Sequence, residues 1–301
     1  MHAKNILSIA LFAGTLGILS SFHTACDQPY GNAPVNVGKY DLNHPVSIQK
    51  LPSELYEVSG LTDLSETEIA CVQDEKGIIY SYDIIAQKIT QEVPFAQDSD
   101  YEGLTRVGDD VYTLSSDGVL FETKSAWKKP HTKSYELNLP SPDNEGLCYD
   151  EKNNRLLIAP KSKIGKGPEF KDTRAVFVFN LKKKELEEEP LFYFSVAAIY
   201  AVAESKGIES DPVYKKNGQE KIQKNFRPSS LAVHPETGDV YMISAEDFAL
   251  VIFSETGKVK DYFALDKELF AKAEGITFLP NGKMIITNEG VDGSATLLVI
   301  E

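Results

Sequence analysis

The chain has 301 residues, 42% hydrophobic and 25% charged, a globular balance that excludes disordered, collagen-like and coiled-coil classes. Lys and Arg number 31 against 45 Asp and Glu, a net charge of −14. Such an acidic surface repels phosphate backbones and anionic headgroups, so neither nucleic acid nor a charged membrane surface is expected as a partner.

Residues 1–25 read as an export signal. Lys4 precedes an apolar run of 13 residues, Ile6 to Ile18, and small residues follow up to Ala25. The run is too short to span about 30 Å of hydrocarbon but fits a secretory leader. The stretch from Leu19-Ser20-Ser21 to Ala25-Cys26 resembles a bacterial lipoprotein signal, in which the cysteine is lipidated and becomes the first mature residue. His23 departs from that pattern, standing where a leucine is expected. The bland alternative is an ordinary cleaved signal with an incidental cysteine. Removing residues 1–25 removes one base, Lys4, leaving 30 Lys and Arg against 45 acids, a charge of −15. Residues 26–44, rich in Gly, Pro and Asn at their start, read as a lipid-anchored tether. Lipid on Cys26, not charge, would then hold the protein at the inner or outer membrane of a bacterial envelope.

Residues 45–301 repeat themselves. Five segments share one pattern: Val58-Ser59-Gly60-Leu61-Thr62, Tyr101-Glu102-Gly103-Leu104-Thr105, Asn144-Glu145-Gly146-Leu147-Cys148, Pro228-Ser229-Ser230-Leu231-Ala232 and Ala273-Glu274-Gly275-Ile276-Thr277. Gly60 to Gly103 is 43 residues, Gly103 to Gly146 another 43, Gly146 to Ser230 is 84, and Ser230 to Gly275 is 45. A period near 43 with strand-rich content is the length of a four-stranded propeller blade.

The strands inside each period agree. A second apolar run follows each motif (Glu68–Glu75, Asp110–Asp117, Arg155–Lys161, Asp239–Glu246, Lys283–Glu289), then a third (Ile78–Ile85, Val119–Lys124, Ala175–Leu181, Ala249–Ser254, Thr296–Glu301). A fourth appears in Lys88–Phe95, Lys133–Leu139, Leu191–Val196 and Lys258–Leu265, and is missing only after the fifth motif. Pro45 to Leu51 is strand-like and would supply it, closing the ring without an open edge. The fold expected is all-β, a single propeller of five four-stranded blades. The 84-residue spacing leaves six blades as the alternative. Residues 197–226 begin with a helix-prone run and read instead as an inserted flap.

These motifs, with the lipoprotein-like start, resemble the SdiA-regulated (YjiK-like) family of exported bacterial propeller proteins, over roughly Val46 to Glu301. Its most telling part is the residue before the glycine-like position: Ser59, Glu102, Glu145, Ser229 and Glu274. The resemblance implies a propeller at the cell envelope and no established reaction. More distantly, the Glu-Gly motif is similar to that of phytase-like and esterase-like propellers, some of which use calcium.

The first strand of each blade lines the channel, so equivalent positions meet around the axis. Glu102, Glu145 and Glu274 should converge there, joined by Asp74, Asp117, Glu246 and Glu289 at the ends of second strands, with Lys161 in the third blade. Crowded carboxyls raise one another's pKa values unless a cation or lysine neutralises them, and a ring of hard oxygens suits Ca²⁺. Equally, each glutamate could brace the next blade through backbone N–H groups, with glycine allowing close approach. The basic loop from Lys161 through Lys163 to Gly167 is either an anion-holding flap or a solvated hairpin, and Lys182 to Glu189 reads as an exposed turn. Cys71 and Cys148 lie in apolar strands and read as core, not as a disulfide, and His234 belongs to a turn. No zinc or Cys-His spacing occurs. The reading that follows is a monomeric envelope lipoprotein whose propeller binds a small-molecule ligand or an envelope protein. A calcium-dependent hydrolase of phosphoesters or lactones is the alternative.

Overall fold

The structure is a computed structural model that describes residues 36–209, 212–214, 220–222, 224–291 and 293–301. The expected export signal and Cys26 lie outside the described residues. Five β-sheets follow one another along the chain as the blades of a propeller. Blade 1 comprises Val58–Asp63, Glu68–Gln73, Ile78–Asp83 and Lys88–Pro94. Blade 2 comprises Tyr101–Val107, Asp110–Ser115, Val119–Lys124 and His131–Glu136. Blade 3 runs through Asn144–Asp150, Arg155–Pro160 and Thr173–Asn180, and its outer strand comes in two pieces, Glu185–Leu186 and Phe192–Ser195. Blade 4 comprises Ser230–Val233, Val240–Ser244, Ala249–Phe253 and Val259–Ala264. Blade 5 holds Ala273–Phe278, Met284–Asn288 and Thr296–Ile300, and Ser47–Lys50 pairs antiparallel with Thr296–Ile300 at its outer edge.

Burial follows from blades packing face to face. Inner strands touch a neighbour on both sides and read as continuous apolar runs, as in Ala249–Phe253, which is buried throughout. Outer strands meet solvent, so His131–Glu136 has no buried residue. Each of the five junctions carries its own apolar cluster. Ala70, Val72 and Ile79 meet Tyr101, Leu104 and Val111 between blades 1 and 2. Tyr112 and Leu120 meet Ile158 and Phe177 between blades 2 and 3. Cys71 and Cys148 are buried and free.

One junction is also pinned by charge. Glu122, 1% exposed, accepts from Tyr112 Oη and Tyr135 Oη at 2.7 Å each and from Lys184 Nζ of blade 3 at 2.6 Å. Burial opposes its charge, but Lys184 and the tyrosines outweigh it and hold the carboxyl down at about 2. Lys184 is therefore part of a buried network, and the turn from Lys182 to Glu189 is not merely solvated.

Two segments differ from expectation. Part of the expected tether is docked: Asn36–Val37 pairs with Tyr40–Asp41, and Val37, Tyr40 and Leu42 are buried between blades 4 and 5. Tyr40 Oη donates to the Gly282 carbonyl at 3.0 Å and lies 3.1 Å from His234 Nε2. The expected flap begins as the helix Val196–Ser205, capped by Ser195, which packs on the outer edge of blade 4 and does not cover the axis. Ile199, Tyr200 and Ala203 face the cluster between blades 3 and 4, and Lys206 pairs with Asp261 at 2.7 Å. A small hairpin, Pro212–Tyr214 with Glu220–Ile222, follows it. Among the described residues there is no sixth blade in the 84-residue interval, and no helix is long and apolar enough to cross a membrane.

The repeated glycines set how closely the inner strands approach. A Cβ on Gly103 would lie 2.6 Å from Leu147 Cβ and 2.8 Å from the Glu145 carbonyl of the next blade, distances real Cβ atoms do not adopt. Gly103→Ala should therefore cost about 1–3 kcal/mol through overpacking. Gly293→Ala, where a Cβ meets nothing within 4 Å, should stay within about 0.5 kcal/mol of wild type. Denaturant midpoints check this; equal losses at the two sites would contradict the close-approach account.

Candidate functional site: a buried carboxylate ring on the axis

The residues before the glycines are set by a backbone irregularity. Pairing in blade 2 jumps from Tyr101 to Gly103, in blade 3 from Asn144 to Gly146 and in blade 5 from Ala273 to Gly275. Glu102, Glu145 and Glu274 are thus the extra residues of β-bulges, which re-aim a side chain that regular pleating would send elsewhere. A similar shift between Val58 and Leu61 accommodates Ser59, whereas Ser230–Val233 in blade 4 pairs regularly.

The structure brings the three glutamates within electrostatic reach of one another, as the repeat requires. Glu145 is 2% and Glu274 5% exposed. Lys161 Nζ forms an ion pair with Oε1 of Glu145. The other oxygen, Oε2, is buried with no hydrogen-bond partner among the described residues. Ser59 Oγ lies 2.8 Å from both the carbonyl and Oε2 of Glu102, as donor. Glu274 is 3.8 Å from Lys272, which pairs closely with Glu289.

Three acids against the half-buried Lys161 and the more exposed Lys272 leaves an excess of negative charge. Burial, and after it the charges of Glu102 and Glu274, pushes Glu145 up to about 9 despite Lys161. Burial likewise raises Glu102 and Glu274 to about 7 each; Ser59 opposes the shift at Glu102, and Lys161 and Lys272 oppose it at Glu274. Asp74 joins the ring, raised to about 7 by burial and then by Glu57, Glu102 and Glu289, with Oδ1 lacking a partner among the described residues. Burial works against the Lys161 ammonium, but Glu145 reverses this and holds it above the usual lysine value.

The remaining expected residues are divided. Glu289 joins the ring through Lys272. Glu246 stands at its margin, paired with Arg227 at 2.9 Å. Asp117 is exposed and accepts from Ser115 Oγ at 2.5 Å, because the residue equivalent to Asp74 in blade 2 is Ser116. Asp74, Ser116, Lys161 and Glu289 share one place, each donating its N–H to the residue two before the glutamate or serine: Glu57, Asp100, Asp143 and Lys272. Lys163 is exposed and stands apart from the ring, while Lys161 is committed to Glu145, so this loop does not offer two free bases to an anion.

Bracing falls to the serines. Ser59 reaches the Glu102 carbonyl, and Ser229 Oγ donates to the Ala273 carbonyl at 2.7 Å. Among the described residues no backbone N–H donates to the three glutamate carboxylates. Lys272, Asp100, Asp143 and Arg227 escaped the sequence reading, although Glu57, Asp100, Asp143, Arg227 and Lys272 are charged at the same repeat position. At the far end of the inner strands a separate cavity of 780 Å³ opens beside Thr62, Thr105, Cys148 and Thr277, and none of the three glutamates lines it.

No family model matches the chain, and no curated protein is similar to it in sequence. Among solved structures, the chain is similar to the glutaminyl cyclase of Myxococcus xanthus: TM-score 0.57, 14% identity, 86% of this chain and 95% of that one covered. A streptogramin B lyase aligns with TM-score 0.46 and 13% identity over 85% of this chain and 98% of its own. The first likeness supports the five-bladed propeller, and at this identity it speaks for the fold alone.

The ring dictates a pH dependence. A carboxyl that holds its proton more tightly folded than unfolded adds stability in full below the unfolded value of about 4.5, and loses it as pH rises through the folded value. Stability should therefore fall between about pH 5 and 9, and Glu145→Gln should remove the upper part of that fall. Denaturant midpoints against pH check this; a flat profile in wild type would contradict it.

Proposed function

We propose that this chain is a bacterial envelope lipoprotein, anchored through lipid on Cys26, whose propeller is a monomeric binding module for a small-molecule ligand or an envelope protein, with an axial carboxylate ring that takes a cation. The observation that carries the site is Glu145: a wholly buried carboxyl, ion-paired through one oxygen and unpartnered on the other, between Glu102 and Glu274. Burying such an acceptor is costly unless something donates to it. The lipoprotein-like start and the resemblance to the SdiA-regulated family support the address.

A second reading is enzymatic. Glu102 and Glu274, both raised to about 7, can accept and release protons at neutral pH, which suits a general acid–base pair in a hydrolase of phosphoesters or lactones. The calcium-dependent form of that reading places an ion among the same glutamates. Their donor set matches calcium poorly, since Lys161 holds one oxygen of Glu145 and Ser59 one of Glu102.

Two measurements test the proposal. In a bacterial host, the wild type should carry the lipid mass on Cys26 and fractionate with membranes, and Cys26→Ser should lose both; an unlipidated wild type would overturn the anchor. A phosphoester and lactone panel separates the functions. No turnover with or without Ca²⁺ is the binding outcome, and turnover abolished by Glu145→Gln in a folded protein would install the hydrolase instead.

A further inference from the structure

The cavity at the far end of the inner strands is built from all five blades and takes no part in the carboxylate ring. Its 780 Å³ is the size of a small-molecule site. Two residues past each glycine-like position stand Thr62, Thr105, Cys148, Ala232 and Thr277. All five line the cavity, and each is more than nine-tenths buried. They divide into two arcs. Blades 5, 1 and 2, consecutive around the ring, present threonines. Blades 3 and 4 present a thiol and a methyl group, with Leu231 beside them. Burial pushes the Cys148 thiol far above its usual value, so it stays protonated and belongs to the apolar arc.

The threonines have hydrogen-bonding capacity to spare. Among the described residues the hydroxyls of Thr105 and Thr277 make no hydrogen bond, and Thr62 Oγ1 only reaches Asp63 Oδ1 at 3.5 Å. The unpartnered hydroxyls of Thr113 and Thr287 are shut off from solvent inside their blades, whereas those of Thr105 and Thr277 are not. The cavity is what they open on. A hydroxyl both donates and accepts, so two of them on one wall can hold an alcohol or a carbonyl oxygen.

Charge narrows the ligand class. At the rim Arg106 is paired with Asp63 at 2.7 Å, Lys152 with Glu255 at 2.6 Å and Lys39 with Glu236 at 3.2 Å. His234 is held neutral: its Nδ1 accepts from the N–H groups of Glu236 and Thr237 at 3.2 and 3.3 Å, and burial lowers its pKa. Among the described lining residues only Glu151, exposed at the edge, is a charge without an ion-pair partner. A charged group carried down to the threonines would therefore lose its water without gaining a counter-charge.

Resting on the reading of the propeller as a binding module, but not on the axial ring, we infer that this cavity is its ligand site and that the ligand is an uncharged amphipathic molecule. The apolar body lies against Cys148, Ala232 and Leu231. A hydroxyl or carbonyl oxygen on the opposite edge bonds to Thr105 and Thr277.

The test is equilibrium dialysis of the full chain at pH 7 against three probes of one shape: 2-naphthol, naphthalene and 2-naphthoate. The expected result is saturable binding of one 2-naphthol per chain, several-fold weaker binding of naphthalene, which lacks the oxygen, and none of 2-naphthoate. Thr105→Val and Thr277→Val should each weaken 2-naphthol several-fold and leave naphthalene unchanged, and Thr→Ser at either position should restore the 2-naphthol affinity. The comparison of probes on the wild type stands by itself if a Val variant fails to fold. Equal affinity for naphthalene and 2-naphthol would overturn the role of the threonines. Tighter binding of 2-naphthoate would overturn the uncharged class. No saturable binding of any probe would overturn the site, while the lipid mass on Cys26 and the turnover panel decide the wider reading separately.

Discussion

Two buried glutamates, Glu145 and Glu274, and the half-buried Glu102 share one repeat position at the propeller axis with the half-buried ammonium of Lys161, and much else in the molecule answers to that imbalance. Coulomb repulsion in a space of reduced dielectric leaves three outcomes for such a ring: bases of its own, bound protons, or an added cation. The protein uses the first only in part, through Lys161 and the more exposed Lys272. The second accounts for the raised carboxyls. The third is what the proposed function invokes, since an added cation would relieve the same repulsion.

Holding the ring demands a scaffold that keeps inner strands unusually close. Bulges turn the glutamates out of register, and the glycine after each lets the next blade approach, its backbone at Gly103 and Gly275 and the Leu231 side chain at Gly146. Blades 1 and 4 carry serine instead, and those serines bond to the backbone of the following blade. One repeat position thus divides into two kinds of work: serines fasten neighbouring blades, and glutamates load the axis. The asymmetry matters, since five glutamates would deepen the repulsion and five serines would leave Lys161 without its carboxylate partner. Fastening elsewhere is by apolar clusters at each junction and by the Glu122–Lys184 network away from the axis.

The blade count was legible because the Gly-centred motif returns every 43 to 45 residues, or at nearly twice that, and every return starts an inner strand. The convergence of Glu102, Glu145 and Glu274 followed from their shared repeat position. The bulges were not legible, because alternation along a strand says nothing of an extra residue in its partner's register. For the same reason Asp117 seemed equivalent to Asp74, when Ser116 takes that place. Lys184 looked like part of a solvated turn because its partner, Glu122, lies in the preceding blade. Residues 36–42 looked like a tether because Val37, Tyr40 and Leu42 form no long periodic run, yet three apolar side chains suffice to dock a short hairpin. The helix-prone run beginning at Val196 was read correctly as a helix, but its apolar side chains direct it to blade 4 rather than over the channel.

The central claim is that burial and mutual repulsion raise the axial carboxyls well above the ordinary carboxylate range. Carbon-13 NMR of glutamate-carboxyl-labelled protein, titrated from pH 4 to 10, tests it most directly. The account predicts three glutamate resonances moving near pH 7 to 9, each removed by one of Glu102→Gln, Glu145→Gln and Glu274→Gln. If every glutamate titrates between about 4 and 5, as an unperturbed carboxyl does, the ring is not proton-loaded and the account fails.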